Sequence, residues 1–197
     1  MATRSDQMRR RRVAQAFADL MTALGKTPTG ALASTPLRAA ILWTEHLVPS
    51  AKPNLSRLFR SSPRARHHGP VILRELGVHL VCPHHLTIAF GQACIAYCPG
   101  KSLAGFGAIA RLVEQATGGF VLQEEAARLV AEALVAHLGA TAAVVLIEAK
   151  HPCHNVTHPR SHKAVAETWA QAGDRREAIQ LRTLVLRGAG VRPKRGL

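Results

Sequence analysis

The chain has 197 residues, enough for one domain with a sizeable core, and 47% of them are hydrophobic. Lys and Arg number 26 against 12 Asp and Glu, a formal charge of +14 that suits a phosphorylated substrate, a polyanion or simple solubility. With one Tyr and no aromatic residues interleaved among the basic ones, the sequence offers no base-stacking platform, which argues against nucleic acid as the partner.

In chain order, residues 8–24 and 36–47 carry apolar side chains at helical spacing, and Thr35 before Pro36 reads as an N-cap with proline in the first turn. No apolar stretch of signal-peptide type follows the arginine run 9–12, and residues 13–24 are too short and too broken by Gln15 and Asp19 to span a bilayer. Residues 48–69, rich in Pro, Ser and Arg, read as a loop or linker. Strand character follows over 71–81 and 87–97, the second bent near Gly91. Helices are expected over 103–117 and 122–138, the latter stopping at Gly139, then a buried strand over 141–149. A further strand over 163–169 and an amphipathic helix over 174–187 complete the order. This predicts an α+β unit with two helices on one face of an antiparallel sheet. The expected division is a helical segment with a basic linker (1–69), a main domain (70–190) and a basic tail (191–197).

The chemistry concentrates in Cys82-Pro83-His84-His85 and His151-Pro152-Cys153. A Cys-x-x-His turn can bring two donors to one ion, and Cys153 supplies a third. Three protein ligands leave a coordination place for water, the mark of a catalytic rather than a closed structural zinc site, and point to hydrolysis. The alternative is a closed site with His84, His151 or His154 as the fourth ligand. Cys94 and Cys98 share a strand face but lie too far apart along it to bridge easily, so they read as small buried residues in a reducing cytoplasm. His79 reads as a core side chain. His67 and His68 fall in the linker, and His154, His158 and His162 read as solvated loop residues.

Five blocks in order resemble the GTP cyclohydrolase I family: Cys82 to Ile88, Gly91 to Tyr97 before Pro99, Gly105 to Glu114, Leu122-Gln123-Glu124, and Glu148 to Cys153. Residues 78–154 carry the resemblance clearly, with a weaker echo at Ala23-Leu24-Gly25, Thr35 to Arg38 and Trp43. It implies the tunnelling fold, in which subunit sheets join edge to edge. A homo-oligomeric ring such as a decamer, with active sites between subunits, goes with that fold. It also implies Zn2+ on Cys82, His85 and Cys153, with His84 and His151 as acid and base. Gln123 and Glu124 would hold the guanine base, although a plain reading of both is a helix N-terminal turn favoured by the dipole. The implied reaction is water attack on C8 of GTP or a related purine nucleotide, with loss of formate.

The departures are as informative. Gly107-Ala108 stands where the family carries Ser-Lys, Thr157-His158 where it carries Arg-Gly, and Pro83 where it usually has Glu. Arg111 remains of the phosphate set, and Arg160 or Lys163 are the cations placed to compensate. The expectation is therefore either a GTP cyclohydrolase with relocated cations, or an enzyme opening a purine with fewer phosphates. A non-catalytic, zinc-stabilised ring protein is the remaining alternative. The nitrile reductases that share the tunnelling fold need a Cys-Asp arrangement that this sequence lacks.

Overall fold

The computed structural model describes residues 3–50, 54–67, 69–158, 160 and 163–188. The chain divides into two compact units, Met1–Lys52 and Pro53–Leu197. The boundary therefore falls inside the segment expected to be a linker over 48–69. The basic tail 191–197 lies outside the described residues.

In the first unit, α1 (Arg4–Ala23) begins four residues earlier than apolar periodicity predicts, because Thr3 and Asp6 form a reciprocal cap. The Thr3 hydroxyl accepts the Asp6 N–H and the Asp6 carboxylate accepts the Thr3 N–H, both at 3.1 Å. α2 (Thr35–Ile41) continues into a π-helical turn, Leu42–Leu47. Its cap position is Ser34 rather than Thr35, and no side chain caps it. Phe17 packs on Trp43 with ring centroids 5.9 Å apart, and Arg10 of the arginine run pairs with Glu45.

The second unit opens with a single helical turn, α3 (Leu55–Leu58), whose leucines pack on the unit's core. Four strands follow, β1 (Val71–Val81), β2 (Ile88–Cys98), β3 (Ala142–Lys150) and β4 (Ala166–Gly173), all antiparallel and adjacent in chain order. Between β2 and β3 run α4 (Phe106–Thr117) and α5 (Gln123–Ala133), the latter prolonged by a π-helical turn, Leu134–Leu138, that stops at left-handed Gly139 (φ 78°) as expected.

Alternation along the strands decides which helix covers which face. Ala93, Ile95, Tyr97, Ala143, Val145 and Ile147 face α4 and α5 in the larger core. Cys94, Ala96, Ala142, Val144 and Leu146 face the other way and pack with Ala178, Leu181 and Val185 of α7 (Arg175–Gly188). The sheet is thus covered on both faces, which explains the unbroken apolar run in β3. β4 starts at Ala166, not at 163, and a short helix that the sequence did not suggest, α6 (Pro152–Thr157), separates it from β3.

At Gly91, paired with Val78 on β1 and Ala149 on β2's other side, a Cβ would stand 1.8 Å from the Glu148 carbonyl oxygen. Only glycine lets β2 approach β3 this closely, a few residues before His151.

Candidate functional site

Two chain reversals at the same end of the sheet build the site. β1 runs out at Val81 and the turn to β2 is tied twice, by the Cys82 N–H donating to the Thr87 carbonyl and the Leu86 N–H donating to the Cys82 carbonyl, each at 2.9 Å. Leu86 takes a left-handed conformation (φ 54°) to close it. β3 ends at Lys150, and His151 becomes the cap of α6, its carbonyl accepting the His154 and Asn155 N–H groups at 3.0 and 3.1 Å. Pro152 at the first helical position fits this start, and its lack of an N–H costs nothing there.

These turns bring Cys82, His85 and Cys153 together, with one donor atom from each lying within 4.8 Å of the others. The two sulfurs are 4.0 Å apart, and Cys82 Sγ is 3.8 Å from His85 Nδ1. All four cysteines are free thiols, and a disulfide would need an S–S distance of about 2.05 Å. Two sulfurs each about 2.3 Å from a tetrahedral zinc would stand about 3.8 Å apart, and a sulfur and a nitrogen about 3.6 Å. Two soft thiolates and an imidazole at these separations fit zinc, and no fourth Cys, His, Asp or Glu among the described residues joins the group.

A cleft of about 280 Å³ opens beside the three donors. His84, Glu124 and His151 line it, on a floor that includes Leu80, Val121 and Ala166. His84 is exposed, its ring 6.2 Å from that of His85 and nearly perpendicular to it. Glu124 sits in the first turn of α5, exposed and without a hydrogen bond or ion pair to a described residue. Its neighbour Glu125 does the capping, accepting the Leu122 N–H at 3.4 Å. The helix-start reading fits Glu124 as well as Glu125, since both lie in the first turn; Glu125 alone caps, and Glu124 lines the cleft with no hydrogen-bond partner among the described residues.

Gln123 differs from Glu124 in every respect. It is buried, donates to the carbonyls of Ile147 (2.9 Å) and Ala166 (3.0 Å), and its Oε1 lies 2.9 Å from His151 Nε2. The amide that the resemblance assigns to guanine is occupied by protein groups.

The cations are spread out. Arg111 is exposed on α4, its guanidinium 3.7 Å from where a Cβ on Gly107 would be, and it does not line the cleft. Arg160 and Lys163 are exposed. His154 is exposed as expected, and it also borders the cleft and stacks on His158 with centroids 4.6 Å apart, on a helix rather than a loop. The missed signal was Pro152, whose place after His151 marks a helix start. His79 is half-buried and His67 exposed, while His68 and His162 lie outside the described residues.

The sequence matches the model of the GTP cyclohydrolase I family over residues 13–189. This chain belongs to the GTP cyclohydrolase I family. Among relatives of that family, the GTP cyclohydrolase 1 of Leifsonia xyli subsp. xyli is 30% identical over 184 residues, covering 92% of this chain and 96% of that protein. The GTP cyclohydrolase 1 of Chromobacterium violaceum is 33% identical over 177 residues, 88% of this chain and 84% of that one. The crystal structure of an archaeosine synthase QueF-Like in the apo form aligns with 55% of this chain and 98% of its own, at 18% identity and a TM-score of 0.46. With membership in this cyclohydrolase family, the four-stranded antiparallel sheet carrying α4 and α5 on one face is the tunnelling-fold unit expected of it, and α7, which lies within the matched residues, covers the opposite face. Among the described residues no helix is long and apolar enough to cross a membrane.

Proposed function

We propose that this chain is a zinc-dependent cyclohydrolase that opens the imidazole ring of GTP or a related guanine nucleotide at C8 and releases that carbon as formate. The observation that carries the reading is the convergence on one cleft of an open three-donor group, two histidines and a free carboxylate from three separate chain segments. Family membership supplies the substrate class.

Zinc held by Cys82, His85 and Cys153 would supply a water made acidic enough to attack carbon near neutral pH. The protein's own groups do the rest. Glu124 binds and orients the base, its two oxygens accepting the N1 and 2-amino protons of guanine as charge-assisted hydrogen bonds. His84 and His151 line the cleft beside the donor group, and imidazoles exchange protons readily near neutrality. One delivers a proton to N7, which makes C8 more electrophilic, and the other relays protons as the C–N bonds break. Leu80, Val121 and Ala166 give the cleft an apolar lining against which the base can pack. At about 280 Å³ the cleft has room for a base and lies below the usual span for whole ligands of about 300 to 1,000 Å³. A homo-oligomeric ring, with a second copy of the chain completing the site, is what the family resemblance implies.

A second reading, turnover of guanine nucleotides with fewer phosphates, is favoured by the start of α4. Gly107 and Ala108 offer no side-chain donor there, and Arg111 of the same helix does not line the cleft. Incubation of zinc-loaded protein with GTP, GMP, guanosine and guanine, with mass analysis for loss of C8 and assay of formate, tests both. Loss of C8 from none of them would leave the non-catalytic alternative standing.

A further inference from the structure

We infer that Gln123 is a positioning residue that fixes the tautomer of His151, with the hydrogen on Nε2 and the lone pair on Nδ1. The inference rests on the reading of His151 as a proton-transfer group, and it moves Gln123 away from contact with the substrate.

The argument is a matter of counting donors and acceptors. A glutamine amide has two N–H donors on nitrogen and only lone pairs on oxygen. Nε2 of Gln123 faces two backbone carbonyls, Ile147 at 2.9 Å and Ala166 at 3.0 Å. Turning the amide over would set Oε1 against both carbonyl oxygens and Nε2 against the ring, losing two bonds in a buried place. The orientation is therefore dictated by the strands. Oε1 must face His151, 2.9 Å from Nε2, and an amide oxygen can only accept. His151 Nε2 must then carry the hydrogen, which in the neutral ring leaves the lone pair on Nδ1.

Three consequences follow for the site. Nε2 is not available to a metal, which removes His151 through that atom as a fourth ligand. The ring is held against rotation from one side by a residue whose own amide is tied to β3 and to the first residue of β4. And Gln123, with both donors engaged, has no N–H left to offer guanine, so Glu124 becomes the chief side chain for base recognition.

The test uses the zinc-loaded full chain labelled with ¹⁵N-histidine and sedimented for magic-angle-spinning NMR. The His151 ring, one of 11 histidines, is assigned by its loss in His151→Ala. The wild type is expected to show His151 as the single Nε2–H tautomer. In Gln123→Leu the two tautomers mix and kcat falls about 10- to 100-fold, the usual cost of losing a histidine's orienting partner, while KM for the nucleotide changes little. Finding His151 protonated at Nδ1 in the wild type would overturn the inference, and needs no variant to fold. So would a Gln123→Leu enzyme with raised KM and unchanged kcat, the behaviour of a substrate contact. If instead His151→Ala keeps full activity while the wild-type tautomer is Nε2–H, the role of His151 in the reaction fails and the structural inference stands.

Discussion

Replacing Ala108 by Lys is the perturbation that tests the altered phosphate grip most directly. Two charged donors expected from the family are missing, the Lys at Ala108 and the Arg near Thr157. Neither position has an obvious substitute: Ala108 is half-buried at the third residue of α4, and the Thr157 hydroxyl is spent on the Cys153 carbonyl at 2.8 Å. A hydrogen bond to a charged group contributes about 1.5 to 3 kcal/mol, so two together amount to about 3 to 6 kcal/mol, or a factor of about 10² to 10⁴. The wild type should accordingly favour GTP over guanosine by that much less than an enzyme with the full clamp. Ala108→Lys should restore about 10- to 100-fold of the preference, its stem lying along the helix surface while the ammonium reaches solvent. The assay is kcat/KM across guanosine, GMP and GTP for both proteins. A steep rise towards GTP in the wild type, unmoved by Ala108→Lys and lost in Arg160→Ala or Lys163→Ala, would refute the reasoning and show that relocated cations rebuilt the clamp.

Metal analysis should find about one zinc per chain, lost in the Cys82→Ser, Cys153→Ser double variant; full zinc retention there would remove these residues from the ligand set. His84→Ala and His151→Ala should keep zinc and lose about 10²- to 10⁴-fold of ring-opening rate, and loss of metal from either would reassign it as a ligand. Gly91→Ala should lower stability by about 1 to 3 kcal/mol in urea unfolding, because its new methyl meets the Glu148 backbone; an unchanged midpoint would contradict the close approach. Burial raises the thiols of Cys94 and of Cys98, the latter helped by Glu177, so both stay protonated to higher pH than an ordinary thiol. Iodoacetamide should therefore label them slowly at neutral pH and faster only as pH climbs past the usual thiol range, as peptide mapping across a pH series would show.

Much of the second unit was legible because its signals are local. The strand expected over 71–81 coincides with β1, and Gly139 ends its helical run where a left-handed residue was expected. The cysteine and histidine spacing led to the donor cluster that the folded chain assembles. What escaped was decided by partners distant in sequence. Gln123 at a helix start gives no hint that two strand carbonyls will claim its amide. The charged start of α1 hides its cap because apolar periodicity is absent there, although Thr3 and Asp6 carried the signal. The His-rich stretch after Cys153 reads as loop by composition, yet Pro152 and a Thr157 hydroxyl turned back on Cys153 make it a helix. That α7 would cover the second sheet face could not be told from its amphipathic pattern alone, which says that a face is buried but not against what.

The Gln123 amide has a consequence for the order in which the protein can become active. Its partners lie 24, 28 and 43 residues further along the chain, at Ile147, His151 and Ala166. During synthesis from the N-terminus, Gln123 emerges before any of the three groups that hold its amide. Hairpin β1–β2 can close early, since its strands are neighbours joined by one turn, but the ring of His151 stays unsteered until the edge strand β4 has docked. A chain cut after Thr157 would thus contain every proposed zinc donor and both histidines, and still lack the Ala166 carbonyl that helps hold the Gln123 amide in place, so the outermost strand completes the support of that amide.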